Sequence, residues 1–353
     1  MKMVSSIEAV GIGEEAWNAL AAGSPTNSIF QTYQWVSSWE KTFKSECEPW
    51  YVAVGDSSGF VGVAPLMLSR GVLGERILRF LGDGKADYCD FLLAGDQRKA
   101  VEAICRTLFS AQDRWDVVTL NSIPAESPTI GLLQDVCRRF GYHVMQRDLY
   151  PSPALIIKEH EAEAGNILNK AALRRRQNYF QRTGALTFKT LTGKDVLQCL
   201  DGFFEQHIGR WTGSATPSLF LDERNQAFYR ELATTMAEKE WLALSIVEFN
   251  GQPLAMHYGF DYGGRFLWYK PAFDKAHAKH SPGLVLLRYL IGRAIANQRH
   301  EFDFTIGDEP FKARFSNKVR TTVQFQICRD PLNFALAWSR WQLGALRRKL
   351  VGG

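Results

Sequence analysis

A chain of 353 residues exceeds one average domain and falls short of three, so two domains are expected. Its 46% hydrophobic and 22% charged content is that of a globular protein and excludes disordered, collagen-like and disulfide-scaffold classes. The 42 basic residues against 37 acidic ones leave +5, too little by itself to point to DNA or any other nucleic acid.

The first ten residues carry Lys2 and Glu8 and no apolar run long enough for an export signal, and no stretch nears the roughly 18 apolar residues of a spanning helix. Six scattered cysteines form no CxxC pair and have no histidine at zinc-ligand spacing, so reduced thiols, a cytoplasmic location and no metal are expected.

Short β-branched or aromatic runs bounded by Gly, Asp or Ser predict strands at 50–54, 60–68, 77–81, 88–93 and 115–120. Helical patterns fall between and around them at 28–43, 98–111 and 129–140. Beyond, helices are predicted at 164–183, 195–210, 225–238 and 284–297, and strands at 186–190, 242–249, 253–260, 265–270, 301–306 and 321–328. The class is α/β or α+β.

A faint repeat organises these elements. The hairpin at 52–65 has the pattern of 245–257, each leading to a strand, a helix and a further strand, 115–124 in one copy and 302–310 in the other. Two copies of one unit are therefore expected, as domains 1–155 and 156–330, followed by a basic amphipathic helix at 331–353 that either packs or docks on the inner face of a membrane. Only the second copy has a long link, 271–283, into its central helix. Ser281 suits the N-cap and Pro282 the first turn; free N–H groups there, Gly283 and the nearby Lys275, Lys279 and His280 suit a phosphate.

The strand at 265–270, the Ser281-Pro282-Gly283 loop, the helix from Leu284 and the segment Phe302-Asp-Phe-Thr-Ile-Gly-Asp-Glu-Pro-Phe-Lys312 resemble the GNAT-type acyltransferases. Within these the chain resembles the cellulose-biosynthesis (CelD/BcsL-type) acetyltransferases, related to the Fem-type peptidoglycan aminoacyltransferases, which carry two GNAT units in tandem. The basic helix around Arg174, the segment His207-Ile-Gly-Arg-Trp211 and Pro253-Leu-Ala-Met-His257 extend the likeness. It implies tandem GNAT-like domains, each a mixed, mostly antiparallel sheet flanked by helices. It also implies acetyl-coenzyme A, or another acyl-coenzyme A, as co-substrate, held by Tyr269, Lys270, Lys279, His280, Ser281, Pro282, Gly283 and Leu284. The family's Arg/Gln-x-x-Gly-x-Gly/Ala phosphate loop is reduced here to Pro282 and Gly283.

Direct acyl transfer to an amine needs a base, an acid for the leaving thiolate and donors for the oxyanion, but no covalent nucleophile. His257, which interrupts an apolar strand, and Asp303 are the candidate bases, with a core histidine and a structural ion pair to Lys312 or Arg314 as the alternatives; Tyr269 is the candidate acid. Asp308, Glu309 and Lys312 beyond a strand end, and His207, Arg210 and Trp211 at a helix end, are candidates for gripping a saccharide or lipid-linked sugar acceptor. Arg174, Arg175, Arg176 and Arg182, with Lys170, form a run free of acids: either a solvated face or a site for a lipid-linked sugar, a cyclic dinucleotide or RNA. The function expected is N-acetyl transfer to an amino sugar of an exopolysaccharide or cell-envelope precursor. Fem-like aminoacyl transfer from tRNA and a non-catalytic nucleotide sensor are its rivals.

Overall fold

The structure, a computed structural model, describes residues 2–330 apart from Ser58 and Leu73, so the helix expected at 331–353 lies outside the described residues. The chain divides into two compact units, one of residues 1–150 with 321 onward, the other of residues 151–320. The sequence expectation put the division at 155 and kept 321–330 in the second domain. The difference arises because residues 322–328 pair antiparallel with the strand at 117–124 of the first unit.

The first unit holds β1 (Lys2–Val4), β2 (Glu48–Asp56), β3 (Gly59–Arg70), β4 (Arg76–Phe80), β5 (Leu92–Leu93) and β6 (Val117–Pro124). These run β1-β2-β3-β4-β6, with β5 on β3, and only β4 and β6 are parallel. Its helices are α1 (Ile7–Val10), α2 (Glu14–Gly23), α3 (Tyr33–Phe43), α4 (Gln97–Ser110) and α5 (Pro128–Arg139). α3 begins behind Thr32, whose side chain caps it, so the predicted helix 28–43 is split by a 3-10 turn at Ile29–Gln31.

β7 (His143–Ile156) leads across the division. Two prolines, Pro151 and Pro153, hide it from a reading by propensity. The second unit continues with α6 (Glu161–Leu168), α7 (Ala171–Thr183), β8 (Leu186–Leu191), α8 (Leu200–Trp211), α9 (Glu223–Met236), β9 (Leu242–Phe249), β10 (Gln252–Tyr262) and β11 (Arg265–Phe273). It closes with α10 (Pro282–Ala296), β12 (Glu301–Asp303), α11 (Pro310–Arg314) and the start of β13 (Lys318–Cys328). The single helix predicted at 164–183 is two, because the chain turns at Asn169 and Lys170. The strand order is β7-β12-β11-β10-β9-β8, with β11 and β12 the parallel pair.

One face of this second sheet mixes aliphatic and aromatic side chains. Leu155, Val247, Ala255 and Phe302 pack on Leu173 and Phe180 of α7 and on Val285, Leu287 and Ile291 of α10. The other face is aromatic, where Tyr258, Phe260 and Tyr269 meet one another, Phe203 of α8 and Tyr229 of α9, and Phe220 packs on Tyr229, all within about 6 Å between ring centres. The mixed sheet flanked by helices is the fold class expected from the sequence. No described helix is long and apolar enough to cross a membrane, and all six cysteines are free.

Candidate functional site

Two strands that run parallel and then part leave backbone groups without a ladder partner. β11 and β12 pair only at Arg265–Glu301, Phe266–Phe302 and Leu267–Asp303. β12 then ends, Thr305 turns with φ +58°, and β11 runs on to Phe273 with β10 alone beside it. The result is a fork whose open arm is β11 from Trp268 onward.

Side chains replace the missing strand. Thr305 Oγ1 donates to the Trp268 carbonyl at 3.1 Å, and Arg210 Nη1 donates to the Pro271 carbonyl at 2.6 Å. Between them, the Tyr269 amide donates to His257 Nε2 at 3.0 Å. That amide is surplus because the register of β10 and β11 shifts between Tyr258 and Phe260. The imidazole reaches it by lying over Gly259, where a Cβ would stand 2.0 Å from His257 Cε1, and by stacking on Trp268 at 4.8 Å.

His257 is wholly buried and its pKa is pushed down to about 3 by that burial, so the ring is neutral with its proton on Nδ1, which meets no partner. Its place is that of a strand cap, within the sheet. Asp303, the other candidate base, is 1% exposed. One oxygen accepts the Thr305 amide at 2.7 Å, and the other lies 3.5 Å from Arg320, which also clasps Glu301. The structural pair is thus with Arg320, not with Lys312 or Arg314; the sequence separation of 17 residues gives no local signal for it.

Of the two groups of residues expected to hold an acceptor, Arg210 of one feels the charge of Glu309 of the other. His207 is bonded through Nδ1 to Ser218 Oγ at 2.8 Å, and its pKa is pushed down to about 3 by burial and by the neighbouring Lys270 and Arg210. Arg210 lies between the rings of Trp211 and Phe273, 4.9 and 4.5 Å from their centres, which keeps it beside β11. Burial lowers the pKa of that guanidinium, and the field of Glu309 opposes the shift. Glu309 in turn meets Lys312 Nζ at 3.0 Å; Lys312, nearly buried, also donates to the Ile306 carbonyl at 2.6 Å. Gly307 is required here: at φ +142° a Cβ would stand 2.1 Å from Glu309 Oε2 and 2.5 Å from Lys312 Nζ. Asp308 is exposed at the mouth of this turn. Trp211 Nε1 and Gln206 Oε1, on α8, are buried without partners.

Tyr269 sits in the aromatic layer and accepts a hydrogen bond from Tyr229 at 3.0 Å; the Lys270 ammonium lies 4.0 Å from the centre of its ring. Reading the sequence alone misses Tyr229, Ser218, Gly259, Thr305 and Arg320. Of the misses, only Gly259, set between two buried aromatics, carries a visible mark, a glycine interrupting a strand.

The expected phosphate end is built differently. Ser281 stands at the N-cap of α10 and Pro282 opens the helix, as expected, but Ser281 has φ +56° and its side chain makes no capping hydrogen bond. A Cβ on Gly283 would meet nothing closer than Phe273 at 3.7 Å, so neither residue forms a tight glycine cradle. Burial lowers the pKa of His280, with Lys279, His277 and, least, Arg176 of α7 adding to the shift; its ring stacks on Tyr179 at 3.8 Å beside exposed Lys279. Leu284 N donates to the Ser281 carbonyl, closing the turn into the helix.

The first unit repeats the topology without the opening. β4 and β6 pair only at Ile77–Val117 and Leu78–Val118, but residues 81–91 fill the gap: Cys89 N donates to the Ser122 carbonyl and Asn121 Nδ2 to Asp83. Among the described residues no group of three or more His, Cys, Asp or Glu converges as for a metal.

The second unit thus presents an open-armed β11, a helix behind its loop and a short parallel β12. The sequence model of the acetyltransferase (GNAT) domain family matches residues 169–313, within the second unit. Among solved structures, FemX is similar over 92% of this chain and 97% of its own, at 11% identity and a TM-score of 0.65. The C-terminal domain of a putative lysylphosphatidylglycerol synthetase from Agrobacterium fabrum is similar over 91% and 96%, at 12% identity and 0.56. The L-PGS of Bacillus licheniformis follows over 87% and 96%, at 13% identity and 0.54. These likenesses show a shared fold. No curated protein matches the chain by sequence.

Proposed function

We propose that the chain is an acyltransferase that moves an acetyl group from acetyl-coenzyme A to an amino group, that of an amino sugar in an exopolysaccharide or cell-envelope precursor. The fork at Trp268–Phe273, inside the segment that matches the GNAT family, carries this reading. In it the donor's thioester lies along the open arm, and the acceptor enters past Arg210, Trp211 and Glu309. The amine nitrogen bonds to the thioester carbon as the carbon–sulfur bond breaks; the amine proton passes to Glu309 and the leaving sulfur takes a proton from the Tyr269 hydroxyl. A donor that pairs with the Pro271 carbonyl displaces Arg210, which then faces Glu309 and the acceptor. His257 and Asp303 hold the fork in shape and handle no proton of the reaction.

The test is release of free thiol from acetyl-coenzyme A on adding glucosamine or a related amine, together with the thermal midpoint measured against acyl-coenzyme A species. Amine-dependent thiol release and a raised midpoint are expected. No midpoint shift and no thiol at millimolar donor would overturn the reading. The fold shared with FemX, with the C-terminal domain of a putative lysylphosphatidylglycerol synthetase and with L-PGS supports a second reading, aminoacyl transfer from an RNA-borne ester. Transfer of a labelled amino acid from charged tRNA, with no coenzyme A turnover, would select it.

A further inference from the structure

Four of the thirteen residues of α7 are arginines and none is acidic. Several exposed arginines elsewhere find carboxylates, as Arg98 finds Asp135 and Arg139 finds Glu102. Arg174, Arg175, Arg176 and Arg182 find none among the described residues. Their field is felt by neighbours: Arg174 helps lower the pKa of Arg288 after burial, and Arg176 adds to burial, Lys279 and His277 in lowering that of His280. Like charges held together without a counter-charge cost free energy that a bound anion relieves.

These side chains also shape a groove. Arg174, Arg175, Asn178, Tyr179 and Arg182 line a hollow of about 520 Å³ on the outer face of α7. That volume falls in the range of small-molecule sites, roughly 300 to 1,000 Å³. Arg175 and Arg182 stand two turns apart on one face, about 10 Å along the axis. Tyr179 is 38% exposed and offers an edge for a flat ring, while its face on His280 joins the groove to the loop that leads into α10.

We propose that this face of α7 is the phosphate-binding surface of the second unit, taking a nucleotide that carries at least two phosphates against Arg174, Arg175 and Arg182 and a base beside Tyr179. The arginines take the place of the glycine-rich loop that the chain lacks before α10. The concavity favours a compact ligand over a flat membrane, and the paired aromatic and guanidinium groups favour a nucleotide over a bare diphosphate. The source of the nucleotide rests on the transfer reading above, where it is the donor's; binding itself does not, so it is read without turnover.

The test is direct titration of the full chain with inorganic pyrophosphate, with ADP, with adenosine 3′,5′-bisphosphate and with single-stranded RNA, at two salt concentrations. R175E/R182E alters exposed, unpaired side chains and should keep the wild-type thermal midpoint; R175K/R182K keeps the charge; R138E, on α5, is the control for general charge. Expected are at least tenfold weaker ADP binding in the charge-reversed variant, partial retention in the lysine variant and no change in the control. Tyr179→Ala should weaken ADP but not pyrophosphate. Tighter binding of the 3′,5′-bisphosphate than of ADP identifies a coenzyme-A-type source, and the reverse a free nucleotide; both support the site. Equal affinity in the wild type and the charge-reversed variant, equal loss in the control, or binding of RNA alone would overturn it. Absence of nucleotide binding to the wild-type chain, with its thiol release intact, would remove this proposal and leave the transfer reading standing.

Discussion

At His257 the lone pair of Nε2 is committed to a backbone amide, and that decides how the residue answers to pH. An unfolded imidazole titrates near 6.5, while those of His257 and His207 titrate at about 3 in the fold. Between these values the unfolded chain binds more protons. Stability is therefore full above pH 6.5 and falls as the pH drops toward 3, by up to about 1.4 kcal/mol per pH unit for each group. Denaturant unfolding between pH 7 and pH 4.5 should show this slope, and His257→Gln together with His207→Gln should flatten it. His257→Phe should cost more than His257→Gln, by about 1 to 3 kcal/mol, since it leaves the Tyr269 amide buried and unpaired. The sequence marked His257 correctly as an oddity in an apolar strand. Its partner was not legible, because the surplus amide exists only once a strand bulge has formed.

The fork is a property of elements, not of any one side chain. Its parallel pairing is three residues long, and the strand predicted at 301–306 stops at Asp303 because Thr305 adopts a left-handed backbone. Composition gave no warning: Phe302, Phe304 and Ile306 alternate as a strand would. The strand and helix on either side of the loop were legible, β11 from its aromatic run and α10 from its apolar period. The turn after β12 brings Glu309 toward Arg210, and its geometry depends on Gly307. Glu309→Gln should lower kcat for thiol release by about 100-fold, in the range of general acid–base effects, with the KM for acetyl-coenzyme A unchanged. Gly307→Ala should do the same by pushing Glu309 and Lys312 aside, with the thermal midpoint showing the fold retained. An unchanged kcat in both variants would take Glu309 out of the reaction.

At the scale of the molecule, the tandem arrangement was legible in the repeated hairpins, and the topologies β2-β3-β4-α4-β6 and β9-β10-β11-α10-β12 match. What the repeat could not reveal is that only one fork is open. Closing the other depends on loop residues, Asp83 and Cys89, that have no periodic signature. Nor could it reveal where β13 goes, since pairing with β6 spans some two hundred residues. Val323, Phe325 and Ile327 are buried there, and each buried side chain of this size contributes about 1.5 to 3 kcal/mol. Their sum rivals the whole stability of a typical domain, about 5 to 15 kcal/mol. Ending the chain after Arg320 should therefore leave the first unit unfolded while the second keeps its structure, which hydrogen exchange of α4 against α10 would report. Slow exchange in α4 of the shortened chain would contradict it.

The path of β13 also sets an order of events during synthesis. The first unit lacks a strand until residue 328 has been made, although all its other elements are in place by residue 150. At about 5 to 20 residues per second, the intervening stretch takes roughly 10 to 35 s to appear. Through that interval β6 waits with one edge open while the whole of the second unit is produced. The unit whose sequence comes first is completed last.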